Sequence, residues 1–157
     1  MNGHQTTRRQ FVVAVGSVGA MLAIKTAQAQ VAANPAAFGA AIGKVTHGAE
    51  VKKGRVKLDV PPLSENGNTV ATNVTVESPM TAKDYVKAIH LFAEKNPQPN
   101  IISVHLGPRS GKAAISTRIR LADTQTVTAI AEMSDGSFWQ DTGDVIITLG
   151  ACLEDPV

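Results

Sequence analysis

The stretch Val70-Ala-Thr-Asn-Val-Thr-Val76 decides the fold class. Val70, Thr72, Val74 and Val76 alternate with small or polar residues. Successive side chains of a strand point to opposite faces, so this period of two marks a strand with one buried face. The pattern repeats on both sides. Upstream, Val56, Leu58 and Val60 alternate with Lys57 and Asp59 until Pro61-Pro62 ends the run, and Glu65-Asn-Gly-Asn68 is a turn signal. Downstream, Ser78-Pro79 closes the strand. Ile101 to Leu106 is a β-branched run, Gly107-Pro108 and Ser110-Gly111 are turns, and Ile115, Thr117, Ile119 and Leu121 alternate again. Thr126 to Met133, the hairpin signal Asp135-Gly136 and a last strand Val145 to Leu149 complete the series. Short strands separated by turns predict an all-β sandwich.

Two segments stand apart. Residues 81–95 read equally as helix and strand. Thr81-x-x-Asp84 is a capping-box pattern with Tyr85, Ile89 and Phe92 at helical spacing, while Val86, Ala88, His90 and Phe92 also fit one face of a strand. Gln30 to Gly48 is rich in Ala and Gly, with Pro35 suited to a first helical turn. Phe38, Ile42 and Val45 recur there at helical spacing, which predicts a short docking helix. Lys52 to Lys57 reads as a solvated basic linker.

The N-terminus reads as an address. Thr7-Arg-Arg-Gln-Phe-Val12 pairs two arginines before an apolar run from Phe11 to Ile24, and Ala27-Gln-Ala29 offers the small-x-small pattern of signal peptidase. The run is too short to span ~30 Å of hydrocarbon as a stable helix. Residues 1–29 therefore resemble a twin-arginine export signal cleaved after Ala29, which predicts a periplasmic protein with no membrane segment after cleavage. Loss of Arg8, Arg9 and Lys25 takes Lys plus Arg from 15 to 12 against 13 acids, so the formal charge moves from +2 to about −1. That balance, with aromatic residues at only 4%, argues against nucleic acid as a partner. The expected organisation is signal peptide 1–29, helix and linker 30–54, sandwich 55–149 and C-terminal arm 150–157.

The side chains that carry chemistry are few. His47, His90 and His105 match no zinc spacing. A blue-copper site places His and Met shortly after its Cys, and neither follows Cys152. Gly-x-Ser-x-Gly is absent, and Asp123, Asp135, Asp141 and Asp144 lie beside Gly or in turns, where Asp commonly serves the backbone. No metal, no cofactor and no catalytic residue is expected. Phe138-Trp139 is a candidate recognition patch, or part of the core or of a subunit interface.

Cys152 is the only cysteine. An intramolecular disulfide is ruled out, and a lone thiol in an oxidising compartment calls for burial, an external partner or a use. It follows Leu149-Gly150-Ala151 at the end of the last strand, where Gly150 can lend the backbone freedom. Two readings stay open at this point: a thiol on a short arm, able to form a disulfide-like or persulfide adduct, or a small apolar residue finishing the strand.

The sequence resembles the SoxY family, the carrier proteins of the periplasmic sulfur-oxidising system. The stretches that carry the resemblance are Gly54-Arg-Val-Lys-Leu-Asp59, Glu65-Asn-Gly-Asn-Thr-Val70, Ser78-Pro-Met80, Glu94-Lys-Asn-Pro-Gln-Pro99, Leu106-Gly-Pro-Arg109, Ser116-Thr-Arg-Ile-Arg-Leu-Ala122 and Ala131-Glu-Met-Ser-Asp-Gly-Ser-Phe-Trp139. The resemblance implies an immunoglobulin-like β-sandwich, with residues 85–95 as a strand. It implies a heterodimer with a SoxZ-like immunoglobulin-like subunit, and a non-enzymatic role in thiosulfate or sulfur oxidation. It further implies that Cys152 holds the sulfur intermediate covalently on an arm of Gly150, Ala151, Leu153 and Glu154 while partner enzymes load and unload it. The arm is similar to those relatives that read Ala-Ala-Cys-Ile-Glu rather than Gly-Gly-Cys-Gly-Gly. Leu153 adds bulk, Pro156 restricts the backbone, and Glu154 and Asp155 set like charges beside a thiolate. The competing expectation is a non-covalent protein-binding module.

Overall fold

The computed structural model describes residues 34–150. One helix precedes nine strands: α1 (Pro35–Thr46), β1 (Val51–Lys53), β2 (Val56–Asp59), β3 (Leu63–Asn66), β4 (Val70–Val76), β5 (Val86–Ala93), β6 (Asn100–His105), β7 (Ala114–Ile119), β8 (Gln125–Met133) and β9 (Phe138–Leu149). A larger sheet runs β1-β9-β8-β5-β6, with β3 added on β9, and a smaller one runs β2-β4-β7. β1 and β3 lie parallel to β9, while the pairs β8–β9, β5–β8, β5–β6, β2–β4 and β4–β7 are antiparallel. This is the expected all-β sandwich with a short N-terminal helix.

The period of two in β4 is realised strictly. Val70, Thr72, Val74 and Val76 are buried, and the residues between them are exposed. The three valines meet Ile89, Leu91, Val127, Ala129 and Val145 from the facing sheet in one core. A second, smaller core lies on the outer face of the large sheet. There Phe38, Ala41, Ile42 and Val45 of α1 cover Phe92, Ile130 and Phe138, with Phe38 and Phe92 edge to face at 6.5 Å between ring centroids. The helix starts where its sequence dictates: Asn34 accepts a hydrogen bond from the Ala37 N–H at 3.0 Å, and Pro35 occupies the first turn. His47 ends it in the left-handed conformation, at φ 53°.

Residues 86–93 resolve as strand β5. The Thr81–Asp84 pattern does form its side-chain bond, with the Asp84 N–H donating to Thr81 Oγ1 at 3.1 Å. It closes a loop instead of starting a helix. The strand is masked in the sequence because both of its faces are buried, the inner one by the smaller sheet and the outer one by α1. Val86 also leaves the face expected for it. A register shift between Val86 and Ala88 turns Val86 into the main core, while Phe92 stays on the outer face.

Three further elements differ from their sequence patterns. Lys52 and Lys53 form β1 rather than a linker, pairing with Trp139 and Gln140. Glu65 and Asn66 belong to β3, which pairs parallel to the end of β9. The last strand begins at Phe138 instead of Val145, directly after the Asp135-Gly136 turn. Replacing Leu91, which has no exposure, by Ala is expected to cost about 2–5 kcal/mol of stability in urea unfolding.

Candidate functional site

β9 is the last described strand, and it ends three residues before Cys152. β9 is launched by a tight hairpin in which the Met133 N–H donates to the Ser137 carbonyl at 2.9 Å and Gly136 sits at φ +82°. Asp135 accepts from the Ser137 N–H at 2.8 Å and from Ser137 Oγ at 2.6 Å, which holds its carboxyl below the usual carboxylate range. The strand's far end is tied on several sides. The Ile147 N–H donates to Thr124 Oγ1 at 2.9 Å, and the same hydroxyl lies 3.4 Å from the Ile147 carbonyl. Thr148 Oγ1 donates to the Glu65 carbonyl at 3.1 Å, and the Leu149 carbonyl accepts from the Gly67 N–H at 2.8 Å.

Gly150 ends this clamp. A Cβ at this position would lie 2.2 Å from the Ala122 carbonyl oxygen, so glycine is required by close approach. Its φ lies outside the left-handed region. The loop it abuts is itself fixed. Asn96 Oδ1 accepts from the Ala122 N–H and from Gln125 Nε2, both at 3.0 Å, while Asn96 Nδ2 donates to the Arg120 carbonyl at 2.8 Å. Gln125 Oε1 in turn accepts from the Lys95 N–H at 2.7 Å. The last described residue of the arm is therefore seated on a hydrogen-bonded platform. Ala151, Cys152, Leu153 and Glu154 lie outside the described residues. From Gly150, two residues reach at most ~7 Å, which bounds the distance of the Cys152 backbone from this platform.

The other candidates take structural places. Asp141 Oδ2 accepts from the Leu58 N–H at 2.8 Å, Asp144 Oδ1 accepts from Thr126 Oγ1 at 2.8 Å, and Asp123 pairs with Lys95 at 3.3 Å. Asp141 and Asp144 lie within β9 rather than in turns. Among the described residues no group of three or more His, Cys, Asp or Glu is gathered as a metal site would need. No helix of the described residues is long and apolar enough to cross a membrane. Phe138 is buried under α1, so it is not part of an exposed patch. Trp139 lies half-buried on the opposite face, with Lys52 Nζ 5.8 Å and the Arg55 guanidinium 5.3 Å from its ring centroid. The clamp formed by Gly67, Thr124 and Ala122 had no signal in the sequence beyond the glycine of a turn.

His90 is the one buried titratable side chain among the described residues, at 5% exposure. Its Nδ1 lies 2.8 Å from Ser103 Oγ, its Nε2 is buried without a partner, and the His105 ring stands edge-on at 6.3 Å. Burial lowers its pKa from the ordinary 6.5, the nearby Glu132 carboxylate opposes the shift, and His105 adds to it.

The fold is an all-β sandwich whose last strand is anchored three residues short of the chain's only cysteine. The sequence profile described as "Sulfur oxidation protein SoxY" matches residues 40–152, from the middle of α1 to the cysteine itself. The chain belongs to the SoxY family. Among solved structures it is similar to the sulfur carrier protein SoxY from Chlorobium limicola f thiosulfatophilum, at 21% identity over 74% of this chain and 100% of that one, with a TM-score of 0.62. It is also similar to the superoxide reductase (neelaredoxin) from Ignicoccus hospitalis, at 15% identity over 60% of this chain and 80% of that one, with a TM-score of 0.54. A putative superoxide reductase from Thermotoga maritima shows 16% identity over 62% of this chain and 87% of that one, with a TM-score of 0.51. At these identities the structural likenesses show the fold alone. No curated protein matches the sequence.

Two outcomes follow. Gly150→Ala forces the Ala122 loop or the strand end to shift, and is expected to cost about 1–3 kcal/mol in urea unfolding. For His90, the unfolded chain takes up a proton near pH 6.5 while the native state resists it. Stability contributed by this residue is therefore present above about pH 6.5 and is lost as the pH falls toward the lowered native value. His90→Gln should flatten that fall in unfolding curves taken between about pH 7.5 and 5. A variant as pH-dependent as the parent contradicts this origin.

Proposed function

We propose that this chain is a periplasmic carrier that holds sulfur-oxidation intermediates covalently on Cys152. The observation that carries the reading is positional. The family match ends on the chain's only cysteine, three residues beyond the end of a strand that is clamped to the body. A substrate on such a tether stays within about 7 Å of a fixed point, plus the reach of one side chain. Enzymes must therefore come to the end of the sandwich to reach it. The chemistry asked of Cys152 is that of a thiolate. A partner enzyme joins the Cys152 thiolate to a sulfur atom of the reduced compound as an S–S bond and takes up the two electrons that the coupling releases; a later thiolate attack on that bond breaks it, carries the outer sulfur away on the attacking thiol and returns the Cys152 thiolate.

In this reading Gly150 and Ala151 form the near side of the arm and Leu153 and Glu154 the far side. The chain performs no catalysis of its own and needs no cofactor. A SoxZ-like subunit completes a heterodimer, and the twin-arginine signal, cleaved after Ala29, exports the pair. Trp139, with Lys52 and Arg55 over its ring, is the better placed member of the Phe138-Trp139 pair for contact with another protein. The bulk of Leu153, together with the likeness of the arm to Ala-Ala-Cys-Ile-Glu, favours enzymes whose entrances are wider than those suited to a glycine-only arm.

In the host, Cys152→Ser is expected to reduce carrier-dependent oxidation of reduced sulfur compounds to background, while the variant accumulates with an unchanged melting temperature. Oxidation at the parent rate with a folded Cys152→Ser protein contradicts the carrier reading and favours a non-covalent module.

A further inference from the structure

His90 sits where a positive charge is costly to hold. It lies opposite Ile130 of β8 and two residues before Phe92 in β5, so the three side chains share the outer face of the large sheet. α1 is laid over that face, with Phe38, Ile42 and Val45 packed on the cluster that Phe92 and Ile130 form with Phe138. The neutral ring tolerates this burial. Its Nδ1 can donate to Ser103 Oγ at 2.8 Å, which leaves Nε2 as a bare lone pair. The imidazolium carries an N–H on both nitrogens, and a buried charged N–H without an acceptor is expensive. The groups that face the ring do not supply that acceptor. Glu132 of β8 is held by Lys87, and His105 of β6, edge-on at 6.3 Å, adds a like charge when it is protonated. α1 contains no acid; its ionisable residues are Lys44 and, at the C-cap, His47.

α1 is also the loosest part of these surroundings. Its small core is separate from the main one between the sheets. Gly39 and Gly43 interrupt its interior, and no atom lies within 4 Å of where a Cβ would stand at either, so they weaken the helix without serving its packing. A groove of about 540 Å³ separates Ala37, Ala40 and Lys44 from the turn at residues 98–100, which leaves one flank unsupported. His47 in the left-handed conformation and Gly48 at φ +77° then join the helix to β1 through a non-helical swivel.

We infer that α1 is an acid-released cover: protonation of His90 lifts the helix from the large sheet and bares Phe92, Ile130 and Phe138, while the main core stays folded. The neutral ring suits the seated helix, and the imidazolium suits the lifted one, where water reaches Nε2. Burial favours the neutral form, so the cover is seated above about pH 6.5 and is released progressively as the pH falls below it. Protonation of His47 acts in the opposite sense, because a cation at a helix C-terminus stabilises the helix. The device does not depend on the carrier reading.

The test uses the chain from Gln30 onward and native-state hydrogen exchange, read as protection factors so that the intrinsic effect of pH on exchange cancels. A lifted helix of twelve residues does not hold itself together in water, so its amides report the release. Between pH 7 and pH 5 the α1 amides are expected to lose protection roughly tenfold relative to those of β4 and β8. His90→Gln should abolish that difference, while His47→Asn and His105→Gln should keep it. Gly39→Ala should raise α1 protection about fivefold at every pH and leave its slope unchanged. The His90 ring protons, followed by NMR in the parent, should titrate together with the loss, which keeps the origin testable if His90→Gln does not fold. Protection lost in step with β4 and β8 shows general loosening instead of release and overturns the inference. So does α1 protection that ignores pH, a slope that survives in folded His90→Gln, or a slope that vanishes with His47→Asn or His105→Gln.

Discussion

The backbone of β9 must find hydrogen-bond partners along twelve residues, and much of the molecule is arranged to provide them. β8 serves one edge antiparallel. The other edge is shared by β1 at Phe138–Gln140 and by β3 at Ile146–Leu149, both parallel. Between β1 and β3 the chain leaves this edge and pairs with β4 in the opposite sheet as β2. That crossing knits the two sheets together and brings Val60 against Gly143, where a Cβ would lie 2.6 Å from a Val60 methyl. One strand thus links the helix-covered end of the large sheet, at Phe138, to the exit point of the arm, at Leu149.

This constraint separates the functions of the two ends. The outer face near Phe138 is committed to packing: α1 covers it, and His90 is buried there with an unpartnered Nε2. The opposite end is committed to position. Thr124, Gly67 and the Asn96–Gln125 network hold the strand end and the Ala122 loop that Gly150 rests on. A fixed strand end suits the carrier role proposed above, because a cargo held a few residues further on would be presented near one defined place. The likeness of the sandwich to superoxide reductases shows how little the fold alone says about chemistry.

Legibility in the sequence followed burial. β4 was plain because one of its faces meets the core and the other meets water. β5 was ambiguous because α1 covers the face that water would have marked with polar residues. β1 and β3 were missed because strands of three and four residues at an edge are too short to show a period, and their lysines and glutamate are what edge strands commonly carry. At the site, the cysteine and its glycine stood out by composition alone. The reason for the glycine did not, since the contact with Ala122 joins residues 28 positions apart in the chain. The clamp was equally hidden, because Thr124 acts through a hydroxyl that no spacing rule distinguishes from any other.

In the carrier reading, Cys152 holds the cargo on this clamped root. The most direct measurement is the intact mass of the mature protein taken from its own periplasm during growth on reduced sulfur, before and after treatment with a reductant. The account predicts a mass gain that maps to Cys152 and disappears on reduction. A bare thiol in every preparation, with a partner subunit still co-purifying, would contradict it.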